Sequence, residues 1–206
     1  MQTPSHQHQT SNAKLFMLVG PSGCGKDSLL AQVRVQLCEG TPLLFAHRYI
    51  TRCKNNSEDH ISLSTLEFEQ RKQQGLFTLH WKANNCQYAI GREIDLWLNA
   101  GQNVIFNGSR EHILQAHQRF GDALRVIWIE VSPEILRQRL EQRKRESTVE
   151  IEQRLHRNQQ QQANKNMISQ QLTVVTLDNS GPFTVAVQRL QHLVYQHQES
   201  LKPCSA

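Results

Sequence analysis

The chain has 206 residues, 38% of them hydrophobic, with 23 Lys and Arg against 18 Asp and Glu for a formal net charge of +5. That is enough for one domain with a full core; so mild a charge excess suits an anionic small-molecule substrate and excludes a purely electrostatic case for nucleic acid. No run approaches the ~20 apolar residues of a membrane span, so no membrane partner is expected. Cys24, Cys38, Cys53, Cys86 and Cys204 are scattered without metal-ligand spacing, the pattern of reduced thiols in a cytoplasmic protein. Residues Met1 to Ala13 are polar, lack an apolar run or cleavage pattern, and read as a disordered tail rather than a signal peptide.

Leu15-Phe16-Met17-Leu18-Val19 reads as a buried strand feeding Gly20-Pro21-Ser22-Gly23-Cys24-Gly25-Lys26-Asp27-Ser28, then a helix to about Leu37 with Leu29, Leu30, Val33 and Leu37 on one face. Gly, four residues, Gly, Lys between strand and helix is the Walker A spacing, in which backbone N–H groups and the helix dipole hold phosphate oxygens and the lysine reaches the β and γ phosphates of a nucleotide. The residue after the lysine is usually Ser or Thr, whose hydroxyl binds Mg²⁺; here it is Asp27, with Ser28 next. Asp27 and Ser28 are therefore the candidate metal ligands, against the simpler reading of Asp27 as an acidic residue favoured by the dipole. Cys24 is either a small filler in the loop or a thiol activated by the loop's positive field.

Gly40-Thr41-Pro42 ends the first helix, and Leu43 to Ala46 reads as a short buried strand. Alternation over Arg48-Tyr49-Ile50-Thr51-Arg52 puts Arg48 and Arg52 on one side of an extended segment, a costly arrangement unless an anion lies there. Residues 53–62 form a polar loop, and Ser64 with Glu67 forms a capping box for a helix ending at Gly75. Strands follow at Phe77 to Trp81 and Cys86 to Ile90, a helix at Ile94 to Ala100 and a buried strand from Asn103 to Asn107. Then come a helix over Glu111 to Phe120, a strand over Leu124 to Val131, and a helix from Glu134 capped by Ser132-Pro133. Arg137, Arg139, Arg143, Lys144, Arg145, Arg154 and Arg157, with a break at Arg145 to Thr148, have the form of a mobile cationic lid. The glutamine-rich stretch 158–171 is helical without evident chemistry; Leu172 to Leu177 is a last strand, Phe183 to Gln198 a closing helix, and 199–206 a frayed end. Alternating strands and helices specify an α/β fold, a mostly parallel sheet with helices on both faces and the ligand at the strands' carboxyl ends.

From about residue 14 to 197 these segments resemble the guanylate-kinase-like branch of the P-loop kinases. The matches are the loop Gly20 to Lys26, Thr51-Arg52, Tyr88 to Gly91, the Arg139 to Arg157 lid and the Asp178-Asn179 turn. The chain departs from that pattern where Arg48 replaces a serine, Asn55 an arginine and Asn107 an aspartate, and where Leu79-His80-Trp81-Lys82 lacks the carboxylates that read guanine. Such losses imply an acceptor without a base and with more phosphate. The strings Gly-Pro-Ser-Gly-x-Gly-Lys-Asp-Ser, Arg-Tyr-Ile-Thr-Arg, Glu-Asp-His, Ile-Gly-Arg-Glu-Ile-Asp, Asn-Gly-Ser-Arg and Asp-Asn-Ser-Gly-Pro resemble the ribose 1,5-bisphosphate phosphokinases of phosphonate utilisation.

The resemblance implies a three-layer P-loop kinase domain over 14–198, with a small acceptor-binding insertion at about 48–92 and the lid at about 139–157. It implies ATP and Mg²⁺ as cofactors and ribose 1,5-bisphosphate as acceptor, converted to 5-phosphoribosyl 1-diphosphate. Lys26, Arg143 and Arg154 are then catalytic, and Gly20 to Ser28 with Asn179 bind nucleotide. Arg48 and Arg52 hold the acceptor phosphates, aided by Arg92, Arg110, Tyr88 and His60. A guanylate or other nucleoside monophosphate kinase is the nearest alternative, with a kinase of another small metabolite and a catalytically silent interaction module behind it. A homodimer stays open.

Overall fold

The computed structural model describes residues 12–38, 40–53, 59–143 and 146–195. The expected tails, the middle of the 53–62 loop and Lys144-Arg145 of the lid break thus lie outside the described residues, although Ala13, expected in the tail, is 7% exposed and packs inside.

The central strand β1 (Leu15–Val19) is buried at every position. Its residues alternate between the sheet faces: Phe16 and Leu18 join a cluster with Leu29, Val33, Leu140 and Leu190, whereas Leu15, Met17 and Val19 join one with Ile94, Phe106, Ile113 and Trp128. A strand apolar on both faces must be covered on both, which is why it reads as a continuous hydrophobic run. It is followed by α1 (Lys26–Val35), β2 (Leu43–Phe45), β3 (Arg48–Ile50), β4 (His60–Ser62), α2 (Thr65–Gln73), β5 (Phe77–Ala83), β6 (Cys86–Gly91), α3 (Glu93–Asn99) and β7 (Asn103–Asn107). Then come α4 (Ile113–Phe120), entered through a 3-10 turn at Arg110–His112, β8 (Leu124–Glu130), α5 (Pro133–Gln142), α6 (Thr148–Ser169), β9 (Val174–Asp178) and α7 (Phe183–Tyr195). The main sheet has the order β2-β7-β1-β8-β9, all parallel.

Residues 48–91 build a separate sheet, β4-β3-β6-β5, in which β6 runs antiparallel to both β3 and β5. The β5–β6 hairpin turns on Asn84 and Asn85, both at positive φ, the conformation that a two-residue hairpin loop requires and that asparagine tolerates. Phe68 of α2 packs on Phe77 at a 4.8 Å ring separation, closing a small core over this sheet.

Two local expectations change. The polar loop contains strand β4, paired parallel to β3; His60 is buried while Ile61 and Ser62 are exposed, so its composition hides an edge strand. Ser64 caps α2 by accepting from the Glu67 N–H at 3.1 Å, but the Glu67 carboxylate goes forward to Arg71 at 2.6 Å, leaving the capping box half made. A complete box forms instead at Ser147 and Glu150, opening α6. Among the described residues no helix is long and apolar enough to cross a membrane.

Helix α1 presents two unlike faces to test. Leu29 is fully buried and Val35 is 81% exposed, so Leu29→Ala should cost about 2–5 kcal/mol in urea unfolding and Val35→Ala no more than about 0.5 kcal/mol.

Candidate active site

The loop at the end of β1 is shaped by glycines at close approaches. Gly23 and Gly25 stand at φ +94° and +90°; a Cβ on Gly25 would lie 2.8 Å from Asn179 Nδ2, and one on Gly20 would lie 2.9 Å from the Ile129 carbonyl oxygen. Helix α1 starts on Gly25 without a side-chain cap, whereas α2, α5 and α6 each have a serine cap. Its first-turn N–H groups therefore remain directed at the loop, the arrangement that binds a phosphate. Lys26 Nζ donates to the Gly20 and Pro21 carbonyls, both at 2.9 Å, neutral acceptors that an anionic oxygen displaces.

Behind the loop, Asn179 at the end of β9 is 1% exposed and donates Nδ2 to the Cys24 carbonyl at 2.8 Å, while Arg139 donates to the Asn179 carbonyl at 2.9 Å. The Asn179 side chain thus supports the loop from beneath by holding the Cys24 carbonyl. Cys24 is fully buried beside Leu136 and Leu140, which fits the filler reading. Its thiol packs in that apolar cluster on one side and accepts from Lys26 Nζ at 3.6 Å on the other, so packing and the loop's cation both fix its position.

On the open side of the loop, one carboxylate oxygen gathers three elements. Asp27 Oδ1 accepts from Asn107 Nδ2 at 2.7 Å and from Arg48 NH2 at 3.1 Å. Asn107 ends β7, the neighbour of β1, and Arg48 begins β3 of the second sheet. A cavity beside this group is lined by Asp27, Arg48, Asn107, Arg34, Phe45 and Asp59. Arg48 also lies over the Tyr88 ring, 6.0 Å from its centroid. Burial raises the Tyr88 phenol above its ordinary pKa, with the Arg52 and Arg48 charges pulling it down. Two arginines and one tyrosine therefore meet electrostatically, although only 48–50 of the expected extended segment is strand and Thr51-Arg52 bends away. His60, 2% exposed, places Nε2 3.3 Å from the Arg52 carbonyl and braces that bend.

The remaining sequence candidates are spread more widely. Arg110 donates to Asn158 Oδ1 at 2.6 Å and stacks over Trp128, so burial lowers its guanidinium pKa. Arg154 pairs with Glu146 at 3.0 Å; Arg143 is exposed and has no ion pair among the described residues. Arg92 is exposed beside Asp95 at 3.9 Å, a carboxylate that it shares with Arg119, and these contacts tie it to α3 and α4 rather than to the Arg48 group. Ser28 is exposed at the start of α1. Sequence reasoning passed over Arg34, which binds Asp59 at 2.5 Å while His47 approaches the same carboxylate at 3.0 Å; no local spacing signals a pair separated by so much chain.

For a metal, the described residues contain no group of three or more His, Cys, Asp or Glu. Mg²⁺ bound together with phosphates needs only one or two protein oxygens. Asp27 supplies one, and the buried Asn107 Oδ1, which has no hydrogen-bond partner, lies on the side chain bonded to it. The donor set fits a phosphate-borne Mg²⁺.

A phosphate loop between the central strand of a parallel sheet and its helix, faced by arginines from a second small sheet, defines a P-loop kinase. In agreement, an AAA domain family model matches residues 15–167. Guanylate kinase from Anaplasma phagocytophilum shares the fold, with a TM-score of 0.69 over 95% of this chain and 90% of that chain at 15% identity. "Ribose 1,5-bisphosphate phosphokinase PhnN" of Enterobacter lignolyticus is 47% identical over 195 residues, covering 93% of this chain and 98% of its own. The protein of the same name from Klebsiella pneumoniae is 50% identical over 185 residues, 89% of this chain and 94% of its own. The chain belongs to the ribose 1,5-bisphosphate phosphokinase family.

Two tests follow from the loop. Gly25→Ala combines a left-handed backbone with a 2.8 Å clash; strain of about 1–2 kcal/mol corresponds to about ten-fold weaker ATP binding by calorimetry. In a native-state thiol titration, the exposed Cys38 and Cys53 should react quickly and the buried Cys24 only on unfolding.

Proposed function

We propose that this chain transfers the γ-phosphoryl group of ATP to the 1-phosphate of ribose 1,5-bisphosphate, giving 5-phosphoribosyl 1-diphosphate and ADP. The observation that carries the reading is identity of 42–50% to proteins of that name, over nine-tenths or more of their length. Arg48 beside the phosphate loop supports it, because a guanidinium there supplies a bidentate partner for a phosphate-rich acceptor.

In the reaction an oxygen of the acceptor 1-phosphate bonds to the γ phosphorus while the bond from that phosphorus to the β–γ bridging oxygen breaks. The acceptor phosphate has a second pKa of about 6, so it is already mostly dianionic and needs no general base. The chain's task is alignment and neutralisation. Lys26 and the first-turn amides of α1 hold the donor phosphates. Arg48 and Arg52 hold the acceptor, with Tyr88 and His60 fixing their setting and Arg110 lying further along the same edge. Arg143 and Arg154, in the Arg-rich segment 139–157, bring cations to the transferring group, for which Arg154 must release Glu146. Asp27, with Ser28 beside it and Asn107 bonded to it, would hold Mg²⁺, which would supply neutralisation of phosphate charge. Free Cys24, Cys38, Cys53 and Cys86 suit a cytoplasmic enzyme.

The test is ATP-dependent turnover with ribose 1,5-bisphosphate or GMP as acceptor, following the diphosphate product and ADP. The sugar should be phosphorylated and GMP should not. Lys26→Ala should reduce kcat by about 10²–10³-fold. Arg48→Ser should raise the acceptor KM about 10- to 100-fold, the equivalent of one charge-assisted contact. Turnover of GMP alone overturns the reading in favour of a nucleoside monophosphate kinase.

A further inference from the structure

We infer that Asp27 couples the two substrate sites, holding Arg48 while its carboxylate is not engaged by the nucleotide's cation and handing it to the acceptor phosphate when it is. The inference rests on the function proposed above and concerns the order in which that site assembles. Asp27 belongs to the first turn of α1, on the donor side, and Arg48 to the first residue of β3, on the acceptor side. Their contact of 3.1 Å is made by side chains 35% and 12% exposed, so it is less screened by water than a surface pair. The same oxygen, Oδ1, also accepts from Asn107 at 2.7 Å. Oδ1 thus already serves an arginine and an amide, and a cation taken by the same carboxylate competes with Arg48 for its charge and its orientation.

The consequence is a linkage. Nucleotide and its cation draw Asp27 away from Arg48; the guanidinium then faces the cavity that Asp27, Arg48 and Asn107 line. Acceptor affinity rises on nucleotide binding, and by thermodynamic reciprocity nucleotide affinity rises equally on acceptor binding. Asp27 acts here as a positioning residue. A second tie between α1 and the acceptor side, Arg34 to Asp59, does not involve the loop and serves as a control for simple docking.

Calorimetry on the full chain tests this. Wild-type enzyme should bind ribose 1,5-bisphosphate about 5-fold or more tightly when loaded with Mg²⁺ and a non-hydrolysable ATP analogue, within the usual span of about 5- to 150-fold for coupled sites. Without nucleotide, Asp27→Ala should bind the sugar more tightly than wild type by a similar factor. Arg48→Met should strengthen binding of the Mg²⁺–analogue complex in the absence of acceptor, and this reciprocal arm decides the matter if Asp27→Ala does not fold. Unchanged or weaker sugar binding by unloaded Asp27→Ala, unchanged nucleotide binding by Arg48→Met, or the same gain in Arg34→Ala, overturns the coupling. If loaded wild type binds GMP and not the sugar, the functional reading fails, and the coupling is judged by the same Asp27→Ala comparison with GMP.

Discussion

Burial of β1 on both faces is the constraint from which the rest of the architecture follows. Each of its residues is 1% exposed or less, so the strand has no polar side and no solvent edge. Parallel partners β7 and β8 satisfy its backbone on both sides, and helices and the second sheet cover its alternating side chains. With β1 fixed between them, the carboxyl ends of β7, β1 and β8 open on one edge, and the chain's strongest anion-binding feature sits there. The loop's shape depends on the surface beneath it, which Ile129, Leu136, Leu140 and Asn179 provide.

The electrostatics of that edge explain how an Arg-rich site folds at all. Unpaired guanidiniums brought together repel, yet most arginines here reach an oxygen of the protein: Arg48 on Asp27, Arg139 on Asn179, Arg154 on Glu146 and Arg110 on Asn158. Arg139 and Arg110 take neutral oxygens, of Asn179 and Asn158. The α6 helix adds to this order: Gln162 and Lys165 reach Trp128 and Glu130 of β8, giving the glutamine-rich stretch a role in anchoring the helix that carries Arg154.

Legibility in the sequence follows the range of the interaction. β1, β7 and β8 were legible because a doubly buried strand must be a run of apolar residues, and the phosphate loop because its spacing, strand and helix are contiguous. Ser132 was legible as a cap because its acceptor role is local, with the Ile135 N–H 3.3 Å away. β4 was not, because an edge strand of His60, Ile61 and Ser62 is stabilised by pairing and not by composition. Nor was Arg34 with Asp59, or Arg48 with Asp27, since residues 25 and 21 positions apart meet only through the folded sheet. The half-made capping box at Ser64 shows the reverse case, a correct local motif losing one bond to a charged neighbour, Arg71, one turn further along.

Asp27 and Asn107 show why reading departures in pairs is more informative than reading them singly. Against the guanylate kinase pattern, one position gains a carboxylate and another loses one, and taken alone each looks like damage to a metal site. In the folded chain the two side chains are bonded at 2.7 Å, so the negative charge has moved by about one hydrogen bond rather than vanished. Two carboxylates at that separation repel, and one becomes protonated or turns away. One carboxylate and one amide keep a single full charge at the loop and let the amide orient it. The change also moves the charge into reach of Arg48, the residue that replaced a serine. Three departures thus meet on one oxygen, Asp27 Oδ1; under the function proposed, they keep a place for a cation, add a guanidinium for an acceptor with more phosphate and restrain that guanidinium with the displaced carboxylate.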